Sequence, residues 1–281
     1  MPLLHAIILG IIQGLTEFLP VSSSAHLALI PWLLGWNDQG LSFDIALHVG
    51  TVLAVIVYFF RDWIQIIAEG FGMNVGQDPA IRRNPRLLWL LVLGSIPAGI
   101  AGLLVKDLAE NVWRNNQYLI GSMLILVGLF MWWADRQGTR NKDVGAVSPA
   151  DSITIGVAQA LALVPGVSRS GITICAGLLR NLDRASAARF SFLLATPAIA
   201  GAAAKDAWDL MRHGGGMAGI PADMRTALVV GVVVSAITGA LTIQFFLNFL
   251  RRSPLTFFVW YRVIFGIIVI ALATFFRYHG G

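Results

Sequence analysis

The chain has 281 residues, of which 57% are hydrophobic and only 12% charged, and its mean hydropathy is +0.74. A soluble domain of this size dresses its surface with about 25% charged residues, so a water-exposed globular fold is excluded in favour of a membrane-embedded one. The formal charge of +5 comes from basic residues that sit mainly in short loops between apolar blocks, where they report orientation and contact with anionic lipid headgroups rather than nucleic acid.

The first block, residues 3–35, is apolar but interrupted by Pro20 and by Ser22, Ser23 and Ser24. It is too long for one span, which takes about 20 residues of helix, and short for two. It reads as a re-entrant hairpin, a broken helix whose turn is tolerated only where protein or a polar cavity satisfies its backbone. Because more apolar chain follows, a cleaved signal peptide is not expected. Three spans come next, at 41–60, 85–105 and 117–134. A second interrupted block, 152–179, breaks at Pro165, Gly166, Val167, Ser168, Arg169, Ser170 and Gly171, and spans at 186–204, 226–250 and 257–276 follow it. Cys175, the single cysteine, excludes an intrachain disulfide and reads as a small inert hydrophobe. The expected architecture is one all-α polytopic membrane domain over 1–281.

The two interrupted blocks resemble each other. Gln13, Pro20, Ser22 and Ser24 lie over Gln159, Pro165, Ser168 and Ser170, with the prolines one place out of register. A hairpin plus three spans, twice, is an internal repeat over 1–134 and 152–276. A hairpin returns to its own side while three spans change sides, so the second copy starts from the opposite face. The repeat is therefore expected to be inverted, with the hairpin tips meeting near the midplane. Charge fixes the sidedness. With the loop 61–86 cytoplasmic, twelve basic residues fall inside (Arg61, Arg82, Arg83, Arg86, Arg136, Arg140, Lys142, Arg180, Arg184, Arg189, Arg251, Arg252) and six outside (Lys106, Arg114, Lys205, Arg212, Arg225, Arg277). The positive-inside bias puts both termini and the first hairpin's entrance on the outer side. Arg169 and Arg262 remain within apolar segments.

Several polar residues have no place in lipid. Gln13 and Glu17 are four apart, so a helix puts them on one face with Thr16 beside them. A carboxylate there needs a cation, a metal or water, or else locks two structural elements together. Ser22, Ser23 and Ser24 are either ordinary helix caps or, with backbone N–H groups, a phosphate cradle. Arg169 brings a permanent charge and a fork of donors suited to phosphoryl oxygens, or an ion pair with Glu17, and the two readings coexist in an empty site. Ser168 and Ser170 flank it, while Gly166 and Gly171 permit a tight turn and close approach of a ligand. His26 is equally a general acid or base and a hydrogen-bonded core histidine. Asp44 and His48 form a second pair four apart and are weaker candidates. Arg189, near Asp183 and Arg184, reads as an anchor at the cytoplasmic headgroup level. One carboxylate, several hydroxyls, an imidazole and an arginine at two helix starts suit a phosphorylated substrate whose apolar part stays in lipid. The chemistry alone reaches an anionic-lipid enzyme or an anion transporter.

Gly14-Leu-Thr-Glu17-Phe-Leu-Pro20-Val-Ser22-Ser23-Ser24-Ala-His26 together with Pro165-Gly-Val-Ser-Arg169-Ser-Gly171 closely resembles the undecaprenyl-diphosphate phosphatase family of the bacitracin-resistance type. The segments from Phe43 to Gly50 and from Ala188 to Pro197 look like it too, and the likeness covers essentially the whole chain. The resemblance implies six spans and two re-entrant hairpins, and hydrolysis of the C55 isoprenoid diphosphate to the monophosphate, which returns the carrier to cell-wall synthesis at the bacterial inner membrane. It implies catalytic roles for Glu17, Ser23, His26 and Arg169. Gln13, Thr16, Ser22, Ser24, Gly166, Ser168, Ser170 and Gly171 are expected to bind substrate. It also implies a divalent cation, Mg²⁺ or Ca²⁺, held by Glu17 through the substrate diphosphate. The family's first acidic position falls on Gln13 here, which cannot act as a base or a strong metal ligand, so Glu17 carries more of the burden. Expected partners are the polyprenyl diphosphate and anionic phospholipids, with a homodimer left open and nucleic acid excluded. A phosphoserine route through Ser23 and direct attack by water both stay open. The membrane phosphatases related to vanadium haloperoxidases need a later paired His and Asp, and His213, in a Gly-rich stretch, does not supply it. The non-enzymatic alternative is an anionic-lipid or polyprenyl-phosphate transporter or flippase.

Overall fold

A computed structural model describes residues 2–37, 41–108, 112–213 and 222–279. It is an all-α bundle of twelve described helices: α1 (Leu3–Phe18), α2 (Ser23–Leu34), α3 (Leu41–Tyr58), α4 (Phe60–Gly70), α5 (Pro79–Arg83), α6 (Leu87–Leu108), α7 (Gln117–Ala134), α8 (Pro149–Leu161), α9 (Arg169–Leu179), α10 (Arg184–His213), α11 (Ala222–Leu250) and α12 (Thr256–His279). Within α6, α7, α10, α11 and α12 lie apolar stretches long enough to cross a bilayer, and α3 with α4 forms a bent pair that passes the same test. The protein is a multi-pass membrane protein. The Gly-rich stretch 214–221 after His213 lies outside the described residues.

Both interrupted blocks are helix, break, helix. α1 stops at Leu19, which is extended (ψ 141°) because the following Pro20 disfavours helical backbone. The chain then turns through Ser22, a non-glycine residue at φ 77°, whose hydroxyl accepts from the Ala25 N–H to start α2. The second break uses the same device. Ser168 sits at φ 71° and its hydroxyl accepts from the Gly171 N–H to start α9. α1 packs on α2, α8 on α9, and α1 also meets α9, so the two breaks face each other inside the bundle.

Small residues let the helices approach closely. Gly10 and Gly14 on α1 abut the α11 backbone at Gly231 and Ser235, and Gly50 on α3 meets α11 from the other side. A Cβ on Gly156 of α8 would run into the Gly94 carbonyl of α6, and Ser152, one turn earlier, donates to the Leu90 carbonyl at 2.5 Å.

Two expectations need correction at the polar end. The span at 41–60 ends at Tyr58, and the chain bends by 75° into α4, a helix in what reads as a loop. α4 exposes Phe60, Ile64 and Ile67 and buries Gln65 and Glu69, the amphipathic pattern of an interfacial helix. Arg189 is more than a headgroup anchor. It reaches Asp62 of α4 at 3.0 and 2.5 Å and Asp78 at 2.9 Å, tying α10 to the segment after α3. Its sequence neighbours are otherwise engaged, Asp183 capping Ser186 and Arg184 pairing with Asp135 at 2.6 and 3.0 Å.

Gly156→Val should overpack the α6–α8 crossing and cost about 1–3 kcal/mol, seen as a lower melting temperature in detergent. A second expectation concerns Asp78. Burial raises its carboxyl, but the Arg189 guanidinium and the Ala80 and Ile81 N–H groups outweigh that and hold it below the usual carboxylate range. A depressed carboxyl stabilises above its unfolded pKa of about 3.9 and loses that contribution as pH falls through the lower folded value. The melting-temperature gap between the wild type and Asp78→Asn should therefore be full at neutral pH and close on acidification below about pH 4.

Candidate active site

Glu17 is the hub of the junction between the two breaks. It is 4% exposed and lies in the last turn of α1. One carboxylate oxygen, Oε1, is paired with the Arg169 guanidinium from the first turn of α9. The other, Oε2, accepts from Gln13 Nε2 at 2.9 Å and from Ser23 Oγ at 2.5 Å, and faces His48 Nε2 at 3.3 Å. Helical spacing puts Gln13 one turn below Glu17. The break through Pro20 and Ser22 folds Ser23 back on to the carboxylate. The result is a hydroxyl on a carboxylate, with an arginine across from it.

Other predicted residues divide between site and scaffold. Ser22 and Ser24 share a hydroxyl contact at 3.2 Å at the start of α2, next to Ser23. Ser168 spends its hydroxyl on the Gly171 N–H at 3.1 Å, so both residues build the cap that presents Arg169. Ser170 donates to the Leu19 carbonyl of the opposite break at 3.2 Å. Gly166, at φ 93°, packs against the Ile120 carbonyl and Met123, where no side chain fits. Thr16 gives its hydroxyl to the Ile12 carbonyl of its own helix at 2.7 Å rather than to Glu17. His26 is directed elsewhere. Its Nδ1 is 2.7 Å from the Ser22 carbonyl, its Nε2 is 2.7 Å from the Tyr261 hydroxyl, and its ring stacks on Phe265.

His48, a weaker candidate by sequence, and Arg262, to which the sequence assigns no role, both stand at the junction. Asp44 and His48 were legible as a pair; what the pattern lacked was the crossing of α3 over α1 that brings His48 to Glu17. From Asp44 the chain of contacts runs on to Arg114 at 2.6 Å. Arg262 is wholly buried on α12 and donates to the carbonyls of Pro20, Gly166 and Val167, and of Met123 and Leu124 on α7, at 2.7 to 3.3 Å. The signal is a permanent charge within an apolar segment with no acid near it in sequence.

Two buried polar atoms at the hub have no protein partner: Arg169 Nη1, a donor, and Gln13 Oε1, an acceptor. Among the described residues no group of three His, Cys, Asp or Glu gathers as metal ligands. What the junction offers a hard cation is the Glu17 carboxylate and that unpartnered amide oxygen, donors of the kind Mg²⁺ and Ca²⁺ take alongside substrate phosphate. A separate polar cleft of about 320 Å³ among Arg83, Arg140 and Lys142 shares none of these residues. Its cations already have carboxylates in Asp143, Asp135 and Asp151, so it reads as a solvated face.

Comparison with known proteins agrees with the geometry. The family model described as Bacitracin resistance protein BacA matches residues 6–268. The undecaprenyl-diphosphatase of Trichlorobacter lovleyi is 48% identical over 272 residues, covering 97% of each chain. That of Moorella thermoacetica is 44% identical over 272 residues, covering 97% of this chain and 98% of its own. That of Geobacter sulfurreducens is 44% identical over 272 residues, covering 96% of this chain and 98% of its own. With a match that runs nearly end to end and takes in both breaks and the Glu17–Arg169 junction, the chain belongs to the BacA bacitracin-resistance family.

Proposed function

We infer that this protein is an undecaprenyl-diphosphatase, a membrane hydrolase that converts undecaprenyl diphosphate to undecaprenyl phosphate and inorganic phosphate. The observation that carries the reading is the junction itself: the Ser23 hydroxyl bonded to a buried carboxylate, opposite an arginine with one unpartnered donor nitrogen. That set matches phosphoryl transfer, in which catalysis is mostly positioning and charge stabilisation.

In the proposed sequence Arg169 turns from Glu17 to the diphosphate oxygens, aided by the N–H groups at the starts of α2 and α9. Freed of its counter-ion, Glu17 takes the Ser23 proton while Ser23 Oγ attacks the terminal phosphorus. The anhydride P–O bond breaks and its bridging oxygen leaves with the lipid monophosphate. Glu17 passes the Ser23 proton on to the departing lipid phosphate oxygen and is again a carboxylate. Water then attacks the phosphoserine, giving one proton to Glu17, the Ser23 Oγ–P bond breaks, Glu17 returns that proton to Ser23 Oγ, and inorganic phosphate departs. A divalent cation would be held by Glu17, Gln13 Oε1 and the diphosphate, and would supply further neutralisation of phosphoryl charge. Gln13, Ser22, Ser24, Ser168 and Ser170 shape the polar floor on which the head group rests.

We also propose that the halves are an inverted repeat entered from the outer face. The support is the shared break, a positive-φ serine capping the third residue of the next helix in both copies, together with the loop charge bias and the parity of spans.

Glu17→Gln and Arg169→Lys, folded by thermal shift, should each lower kcat for phosphate release from a C55 diphosphate by about 10²–10⁴-fold. Lipid movement between leaflets that survives in these variants without phosphate release would favour the flippase instead. Single-turnover quenching with substrate labelled at the terminal phosphate should capture label on Ser23; solvent ¹⁸O in the phosphate with no enzyme-bound label would sink the covalent route.

For sidedness, Cys175 is buried and gives little background, so cysteines at the exposed Asn115 and Gln137 can be probed singly in intact cells. An impermeant maleimide should label Asn115→Cys from outside and leave Gln137→Cys untouched. The reverse pattern would invert the orientation.

A further inference from the structure

Tyr261 and Arg262 are adjacent on α12, outside both hairpins, yet between them they grip both breaks. Arg262 Nη1 donates to the Pro20 carbonyl at 3.1 Å, and Nη2 donates to Gly166 at 2.7 Å and Val167 at 3.1 Å. One guanidinium thus fixes the chain two residues before Ser22 and the chain two residues before Ser168. Its remaining bonds, to Leu124 at 3.2 Å and Met123 at 3.3 Å, brace it on α7. Tyr261 works through His26. Its hydroxyl meets Nε2 at 2.7 Å, and the opposite nitrogen, Nδ1, meets the Ser22 carbonyl at 2.7 Å.

The hydrogen bookkeeping of that ring is closed. Nδ1–H donates to a carbonyl, which can only accept, so Nε2 accepts from the tyrosine in a neutral imidazole. Both ring nitrogens are thereby engaged, and neither bond goes to Glu17, Ser23 or Arg169. The chain leading into Ser23 is therefore held at two points, the Pro20 carbonyl and the Ser22 carbonyl.

We propose that the Tyr261–Arg262 pair is a positioning device that sets Ser23 against Glu17 and Arg169, with His26 as its relay rather than a proton carrier. Neither residue touches the reacting atoms. Their effect falls on the distance and angle between a nucleophile on one break and an anion-binding group on the other, and an error of about 1 Å in such a pair costs on the order of 10²-fold in rate. Lysine at 262 keeps the charge but offers one nitrogen where five carbonyls converge.

The inference rests on the Ser23, Glu17 and Arg169 reading, and the test separates the two. Tyr261→Phe keeps the ring and loses only the hydroxyl; Arg262→Lys is the stronger variant. Both are assayed on C55 diphosphate in detergent beside Glu17→Gln and Arg169→Lys, with folding checked by thermal shift. Positioning predicts a kcat lowered about 3–10-fold in Tyr261→Phe and about 10–100-fold in Arg262→Lys. KM should stay within about twofold, and the pH profile should keep its limbs where the wild type has them. Wild-type kcat in folded Tyr261→Phe overturns the proposal, as does a displaced pH limb, which would make His26 and Tyr261 a proton path. Should Arg262→Lys fail to fold, Tyr261→Phe decides by the same criteria. Activity retained in Glu17→Gln and Arg169→Lys would instead defeat the underlying assignment, whereas dead Glu17 and Arg169 variants beside fully active Tyr261 and Arg262 variants defeat the positioning inference alone.

Discussion

A chain that breaks inside a packed helical bundle leaves carbonyls without helical partners, and this fold answers with one buried arginine. Arg262 receives backbone oxygens from both breaks and from α7, turning what would be a cost of several kcal/mol per orphan group into the bond that joins the hairpins. The arrangement also accounts for how a fully buried cation is tolerated without a carboxylate. Five partial negative charges surround it, and its own helix supplies none of them.

From that joint the site follows. With the breaks fixed against each other, Arg169 from one reaches Glu17 beside the other, and the two charges neutralise in an apolar interior. The serines do two jobs that their sequence positions do not distinguish. Ser22 and Ser168 are caps with strained backbone, whereas Ser23 alone points its hydroxyl at the carboxylate. Of these three hydroxyls at the two breaks, two are therefore architecture and one meets the carboxylate.

Much of this was legible in the amino-acid order. Block lengths and the interruptions at Pro20 and Pro165 located the broken helices, because proline and serine act locally on the backbone. Glu17 and Arg169 stood out as charges with nowhere to go in lipid. What stayed hidden depends on helix crossings. His48 reaches Glu17 only through the placement of α3 against α1, and the reach of Arg262 is set by how α12 lies over α7. The bend after Tyr58 was missed because the apolar run continues through Phe60, and hydropathy does not register a change of direction. The pairing of Arg189 with Asp62 and Asp78 joins residues far apart in sequence, whereas its near neighbours Asp183 and Arg184 suggested a merely local role.

The Glu17–Arg169 pair has one more implication, for what the enzyme does when no lipid is bound. A carboxylate poised on a serine is a reactive arrangement, yet here its charge is matched by the guanidinium and its second oxygen is already crowded by Gln13, Ser23 and His48. In the proposed sequence it is an incoming anion that draws the arginine away. On the proposed route the head group that is to be cleaved unmasks the base that cleaves it, and the resting protein keeps its serine under a latch to which the substrate is the key.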